Sequence, residues 1–341
     1  MAAAVLFLIT AVGSFVLCFP VHRLLLRWNM IDRPNERSSH SRPTARGGGI
    51  AVLMAVMLVG TFAVNTTWSI ALIALAGLVL AVVSFIDDLK SLRQLLRFAV
   101  QASAAVIALY ALGFGGGTGL SPVSTIGIAV IGFLWITGYT NAFNFMDGIN
   151  GLAGMQVVTT SIGTALVGIA AGGTLDHPAI ILSLVLAGAG IGFLPHNFPR
   201  ARMFLGDVGS APLGFLLAVF AFWLARDLGW WLLGAFGLLH ANFVLDTTVT
   251  LARRIWRGDR WFESHREHFF QRLVRAGKSH VFVTGWESVL QIIVLIIVVA
   301  TIKQDWLQRF VAAGVVCVLW VGFFAYAELQ FRRSLSSKAA Y

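Results

Sequence analysis

The sequence predicts an all-α membrane protein, a polytopic bundle of about eleven transmembrane helices. Hydrophobic residues make up 58% of its 341 positions and charged residues only 12%, and the mean hydropathy is +0.82. A soluble domain carries about 25% charged residues. Apolar runs also recur along the chain, with no long polar linker between them. These observations exclude an ordinary soluble domain and predict one integral-membrane domain over residues 1–341.

Each apolar run is long enough for a spanning helix, which needs about 20 mainly apolar residues because unpaired backbone groups are costly in lipid. The runs lie at about 2–21, 49–65, 68–86, 95–112, 122–141, 152–171, 177–194, 210–225, 229–248, 284–302 and 308–326. Only a short polar break at 65–67 separates the second run from the third, so ten spans is the alternative.

The distribution of basic residues predicts the orientation. All but three of the 25 Lys and Arg residues fall in alternate connections and in the C-terminal tail. Such residues are retained in the cytoplasm, so we expect a periplasmic N-terminus and a cytoplasmic C-terminus. The first run has no basic segment before it, which favours a retained span over a cleaved signal peptide. The predicted cytoplasmic loops are 22–48, 87–97, 142–151, 195–209 and 253–280. Membrane topology and anionic lipid thus explain the net charge of +10 without a nucleic-acid partner.

Five aspartates fall at the predicted inner ends of spans: Asp87, Asp88, Asp147, Asp207 and Asp246. Adjacent carboxylates repel one another unless a cation or a shared proton intervenes. Magnesium binds few carboxylates together with phosphate oxygens, so the pattern predicts Mg²⁺, or Mn²⁺, and a phosphorylated substrate. Glycines around these aspartates allow close approach of an anion, although small residues also serve helix packing.

Two basic loops are candidates for phosphate binding. His265 and His268 are spaced to lie on one side of a helix, and Arg266 stands between them among further arginines that suit diphosphate oxygens. An amphipathic helix on the lipid surface is the alternative for this loop. In the first loop, Arg46 precedes three glycines, which suits a phosphate group but also an ordinary inner-face turn.

The chain resembles the polyprenyl-phosphate N-acetylhexosamine-1-phosphate transferases, also called glycosyl transferase family 4. The resemblance rests on five ordered segments: DRPNERSSHSRPTARGGG, FIDDLKSL, NAFNFMDGING, FLGDVGSAPLG and SHREHFFQRL. It is closest to the bacterial branch that begins O-antigen or common-antigen synthesis. It implies a cytoplasmic UDP-N-acetylhexosamine and undecaprenyl phosphate as substrates, with a lipid-diphosphate sugar and UMP as products, at the bacterial inner membrane.

Position by position, the resemblance implies a role for each matching residue. Asp87 and Asp88 match the paired catalytic aspartates, and Asp207 matches the magnesium-binding aspartate. A substrate-binding role is implied for Asn141, Asn144, Asp147, His265, Arg266, His268 and Arg46. Asn150 stands where relatives often carry Asp.

Four questions stay open at this point. Asp87 or Asp88 would accept a proton from the lipid phosphate or orient it for direct in-line attack, and a covalent aspartyl-phosphate route is the alternative. An ion-coupled transporter also uses rare membrane carboxylates, but it would place them at mid-bilayer within inverted repeats. The identity of the sugar, among N-acetylglucosamine and its 6-deoxy relatives, and a homodimeric state are not determined by the sequence.

Overall fold

A computed structural model describes residues 2–34, 39–40, 42–116, 119–260 and 265–339 and confirms the all-α membrane fold. The helices are α1 Ala2–Arg27, α2 Gly49–Ala63, α3 Trp68–Lys90, α4 Gln94–Leu109, α5 Pro122–Met146, α6 Leu152–Ala170, α7 Pro178–Asn197, α8 Asp207–Leu228, α9 Leu232–Leu239, α10 Ala241–Trp256, α11 Phe269–Arg275, α12 His280–Thr301 and α13 Trp306–Ala339. A π-helical turn, Tyr110–Phe114, extends α4. The described part of the chain leaves out residues 35–38 of the predicted loop 22–48 and residues 261–264 of the predicted loop 253–280.

Every predicted apolar run forms helix, but the number of full spans is smaller than eleven. Nine helices within the described residues are long and apolar enough to cross a membrane, and a bent pair gives a tenth. The run at 49–65 forms only α2, whose 15 residues rise about 22 Å against a hydrocarbon core of about 30 Å. The run at 229–248 is divided into α9 and α10, which meet at an angle of 74°. The orientation of the termini stays a prediction.

The bend between α9 and α10 is stabilised by polar side chains from neighbouring helices. The carbonyl of Leu239, at the end of α9, accepts hydrogen bonds from Gln291 Nε2 at 2.5 Å and Thr160 Oγ1 at 3.4 Å. Broken helices are tolerated in a membrane where such groups satisfy the freed backbone. The bend therefore belongs to the packed interior of the bundle.

Helix α8 forms the centre of the bundle, since its apolar window is completely buried. It packs against α2, α3, α5, α6 and α7. Its first residue, Asp207, lies at the end of the bundle where α3 and α5 finish. The central helix therefore places its N-terminus at the same level as the aspartates in the last turn of α3 and the aspartate that follows α5.

A small sheet ties two loops together at this end of the bundle. Strand β2 (Thr44–Arg46) pairs antiparallel with β1 (Ile31–Asp32) and parallel with β3 (Met203–Phe204). The amides of Gly47 and Gly48 then donate to the carbonyl of Phe204, at 3.2 and 2.8 Å. This pairing holds the chain before α2 beside the chain before α8, which brings Arg46 to Asp207.

Helices α2 and α8 touch through glycine. A Cβ atom on Gly49 would overlap the backbone of Gly209. We expect Gly49→Ala to destabilise the protein by about 1 to 3 kcal/mol, because overpacking a tight contact forces the backbone to shift. Thermal unfolding in detergent, followed by size-exclusion chromatography, measures the effect.

The matched control is Gly13→Ala in α1, where a Cβ meets nothing within 4 Å. Alanine favours helix over glycine by about 1 kcal/mol, so this variant should unfold at or above the wild-type temperature. Equal losses in both variants would contradict the proposed contact between α2 and α8.

Candidate active site

The paired aspartates lie at the C-terminal end of α3, and each has a different set of partners. Asp87 is buried; its Oδ1 accepts from the amide of Leu92 at 2.6 Å and its Oδ2 from Arg97 Nη1 at 2.8 Å. The Asp88 carboxylate is fully buried. It accepts the amides of Asp207 and Val208 at 3.2 and 3.0 Å. Asp88 therefore caps the N-terminus of α8, whose partial positive charge favours a carboxylate.

Arg46 joins two of these aspartates. Its Nε lies 2.8 Å from Asp88 Oδ1, and its Nη2 lies 2.8 Å from Asp207 Oδ1. Burial opposes the charge, but the carboxylates of Asp207 and Asp88 outweigh it and raise the pKa of Arg46 above its usual value. The guanidinium thus stays charged and relieves the repulsion between the two carboxylates.

Arg97 makes a second bridge on the other side of Asp207. Its Nη1 contacts Asp87 Oδ2 at 2.8 Å and Asp207 Oδ2 at 3.5 Å. Two arginines and three aspartates therefore alternate in the order Asp87, Arg97, Asp207, Arg46 and Asp88. The sequence reasoning placed Arg97 only among the inner-face charges and missed its role, because a basic residue after a span is explained by topology alone.

An apolar groove of about 1160 Å³ opens beside this charged cluster, between α3, α4, α5 and α8. Leu80, Phe98 and Val100 contribute to its apolar wall, while Asp87, Arg97 and Asp207 form its polar end. Asn141 and Asn144 also line it. Their side-chain amides donate to the carbonyl of Thr137 at 3.0 Å and to Ser210 Oγ at 2.7 Å, respectively.

A polar cavity of about 870 Å³ lies on the other side of Asp207. Its lining combines acidic, basic and amide groups from four separate segments: Asp32, His40, Arg46, Asp147, Asn150, Asp207, Gln271 and His280. His280 holds two of these segments together, with Nε2 2.9 Å from the carbonyl of Ser39 and Nδ1 accepting from the amide of Asn150 at 3.4 Å. Sequence reasoning did not select His280, which opens a span outside the recognised motifs.

Among the described residues, Asp207 alone lines both the groove and the cavity. Asp147, in the polar cavity, follows the last residue of α5. Burial and then repulsion from Asp207 raise the pKa of Asp147 to about 7. The structure therefore brings Asp87, Asp88, Asp147 and Asp207 together, as the sequence predicts.

The histidine loop, which carries His265 and His268, contributes less directly to the two cavities. His265, Arg266 and His268 lie outside the linings of both cavities, as far as the described chain shows. The ring of His268 is buried and contacts Asp246. Burial, followed by the charges of His268 and Arg254, lowers the pKa of His265 to about 4, so its ring is neutral at pH 7. The substrate-binding roles of these three residues stay predictions.

Most of the neighbouring arginines in this loop are held in ion pairs. Arg254 contacts Glu267 at 2.7 Å, and Arg272 contacts Glu328 of α13 at 2.6 Å. Arg253 also reaches Glu328, at 3.2 Å. These pairs anchor the loop to α10 and α13. They occupy several of the arginines that the sequence suggested for binding diphosphate.

The donor set at Asp207 suits a hard cation that takes few protein ligands. Within the described part of the chain, no three His, Cys, Asp or Glu side chains form a metal site by themselves. Magnesium is commonly held by one or two carboxylates and substrate phosphates, with water completing its shell. Asp207, whose side chain is 21% exposed and faces both cavities, is placed for that arrangement with Asp147 nearby.

The chain is similar to known phosphotransferases over most of its length. Residues 70–225 match the family model of glycosyl transferase family 4. The decaprenyl-phosphate N-acetylglucosaminephosphotransferase of Mycobacterium tuberculosis is 31% identical over 309 residues, covering 80% of this chain and 76% of the relative. The probable undecaprenyl-phosphate N-acetylglucosaminyl 1-phosphate transferase of Bacillus subtilis is 26% identical over 329 residues, covering 90% and 87%.

A third relative is also named as a transferase. The phospho-N-acetylmuramoyl-pentapeptide-transferase of Streptococcus pneumoniae is 31% identical over 269 residues, covering 73% of this chain and 79% of the relative. The residues matched by the family model include the aspartates of α3 and α8 and the asparagines of α5. The chain therefore belongs to glycosyl transferase family 4, the polyprenyl-phosphate N-acetylhexosamine-1-phosphate transferases.

Proposed function

We propose that this enzyme transfers an N-acetylhexosamine-1-phosphate from a UDP-sugar to undecaprenyl phosphate, releasing UMP. One observation carries the proposal: an apolar groove and a polar cavity meet at a single carboxylate, Asp207. A lipid phosphate and a sugar nucleotide need environments of opposite polarity that converge on the reacting phosphates. The lipid-diphosphate sugar would begin a cell-envelope glycan such as O-antigen, at the cytoplasmic face of the bacterial inner membrane.

The groove suits the lipid acceptor. Its apolar wall matches an isoprenoid chain, while Arg97 stands at its charged end. Arginine suits phosphate because its planar guanidinium donates two parallel hydrogen bonds. The acceptor phosphate would therefore lie against Arg97 and Asp87.

The polar cavity suits the donor. Arg46 faces it and can bind a diphosphate oxygen, and the amide of Asn150 and the imidazole of His40 line it as well. The His40 ring packs 4.8 Å from the ring of Phe204, which shapes a cavity for a planar or ring-shaped group. The donor would thus reach Asp207 from the side opposite to the lipid.

Transfer requires an oxygen of the lipid phosphate to attack the β-phosphorus of the UDP-sugar. A new P–O bond forms, the bond between the β-phosphorus and the bridging oxygen breaks, and UMP leaves. Asp87 lines the groove and can orient the acceptor phosphate or accept its proton. Asp88, whose carboxylate is fully occupied by Arg46 and the start of α8, would act by holding that arginine and helix in place.

Asp207, with Asp147 nearby, would hold Mg²⁺ or Mn²⁺. When bound, the ion would neutralise charge on the diphosphate. Arg46 and Arg97 would orient the two substrates on either side.

Isotope exchange tests the proposed reaction. Purified protein should exchange labelled UMP into UDP-N-acetylglucosamine or a 6-deoxy relative when undecaprenyl phosphate and Mg²⁺ are present, and EDTA should stop the exchange. An ion-coupled transporter would show none. A panel of UDP-sugars identifies the preferred donor.

All three aspartate variants should lose turnover, but only one should also lose metal binding. We expect Asp87→Asn, Asp88→Asn and Asp207→Asn each to lower turnover by about a hundredfold or more, as is usual when charge at a reacting centre is lost. Asp207→Asn alone should also weaken Mn²⁺ binding, measured by electron paramagnetic resonance. The control is Asp305→Asn, in the connection between α12 and α13, which should retain wild-type turnover and expression. Normal turnover in any of the three variants would remove that residue from the active site.

The two cavities should respond independently to substitution. Val100→Phe narrows the groove, and we expect it to raise KM for the lipid about tenfold, a loss of about 1.4 kcal/mol of binding, while KM for the UDP-sugar stays unchanged. His280→Gln disturbs the polar cavity, so it should raise KM for the UDP-sugar and leave KM for the lipid unchanged. Steady-state kinetics with each substrate varied in turn measures both constants.

A matched control for the groove is Ala74→Phe. Ala74 lines a separate apolar cavity between α2, α3, α7 and α8, on a different face of α3. This variant should leave both KM values near wild type. A rise in lipid KM with Ala74→Phe and not with Val100→Phe would place the acceptor chain in that other cavity.

A further inference from the structure

Asp246 is a buried carboxylate for which the proposed reaction gives no role. It lies in α10 and is 1% exposed. Three donors converge on it: His268 Nδ1 at 2.9 Å and Thr250 Oγ1 at 3.1 Å on one oxygen, and the amide of Phe269 at 2.9 Å on the other. The three contacts suit a carboxylate that serves as acceptor only.

The contact with Asp246 fixes the protonation of His268. An ionised carboxylate can only accept, so the Nδ1 of His268 must carry a proton. Nε2 is then the ring nitrogen left for other groups. A carboxylate in this position stabilises a positively charged imidazole and sets the orientation of the ring.

Within the described part of the chain, His268 lines neither cavity, but it contacts one residue from the lining of each. Its ring centroid is 6.3 Å from that of Phe145, which lines the groove. Its backbone amide donates to Gln271 Oε1 at 3.3 Å, and Gln271 lines the polar cavity. The phosphates of the two substrates would meet near Asp207, which borders both cavities.

We propose that Asp246 is a positioning residue of the transferase: it holds His268 protonated at Nδ1 so that Nε2–H donates to the phosphates during transfer. This proposal rests on the proposed function. A charged Nε2–H donor paired with the Asp246 carboxylate would form a pair that is neutral overall, which lowers the cost of burying it. Asp246 therefore acts through His268 and does not touch the substrate.

A purely structural role is the alternative. Asp246 also binds the amide of Phe269, the first residue of α11. Its loss could shift α11, which carries Gln271 into the polar cavity and packs Phe270 close to Gly148. Such a shift would raise KM for the donor and lower thermal stability, whereas loss of a phosphate donor would lower kcat.

A double-mutant cycle separates these roles. The four proteins are wild type, Asp246→Asn, His268→Gln and the double variant, each full length and reconstituted in lipid. We expect Asp246→Asn to lower kcat by about 10- to 100-fold, as for other groups that orient a catalytic histidine or ligand. Both KM values should stay within about threefold, and the double variant should be no slower than His268→Gln, because residues that act as a unit are not additive.

Two further variants serve as controls. Thr301→Val, at the end of α12 opposite His280, removes a hydroxyl that bonds, among the described residues, only to carbonyls of its own helix, so we expect kcat within about twofold of wild type. Asp246→Glu retains the charge and should recover part of the kcat lost in Asp246→Asn. It also provides a test if Asp246→Asn unfolds.

Three results would overturn the proposal. In the first, the effects of Asp246→Asn and His268→Gln multiply in the double variant. In the second, donor KM and the unfolding temperature change while kcat does not. In the third, Asp246→Glu is as slow as His268→Gln while folding normally. Absence of UMP exchange in the wild type would instead refute the proposed function, and this inference with it.

Discussion

The active end of this molecule depends on the meeting of two helix termini. Helix α3 ends in two aspartates, although carboxylates are unfavourable at the negative end of a helix dipole. Asp88 is stabilised because it caps α8, whose positive end faces it, and Arg46 then links it to the first residue of α8. The small sheet, the glycines before α2 and the tight contact between α2 and α8 all serve to keep these termini together.

This arrangement divides the space around Asp207 by polarity. The groove runs along helices that also face lipid, so its wall is apolar, whereas the polar cavity is built from loops and helix ends. Asp207 borders both because it opens the central, fully buried helix. Two substrates as different as an isoprenoid phosphate and a sugar nucleotide could thus reach one carboxylate without sharing a binding surface.

The sequence was sufficient for the helical class and for the convergence of the aspartates, since apolar runs define helices and span ends on one side share a depth. It could not reveal the break at His240, because a polar residue within an apolar run does not by itself end a helix and the groups that stabilise the bend come from α6 and α12. The run at 49–65 ends at a polar break, and α2 covers only its first 15 residues. Arg97 and His280 were missed because their importance lies in contacts with distant segments: a charged cluster for Arg97, and the first loop for His280.

The ion pairs of the basic loop show why a count of arginines overestimates the number that are available to bind phosphate. Arg253 and Arg272 both contact Glu328, and Arg272 also approaches Glu267. Arg272 is mostly buried, and a buried arginine without its acid would carry a large desolvation cost. Glu328 lies on α13, so the last helix neutralises the loop that carries His268. In the proposed reaction, α13 would act at a distance, because Glu328 binds Arg253 and Arg272 and so holds the segment that carries His268.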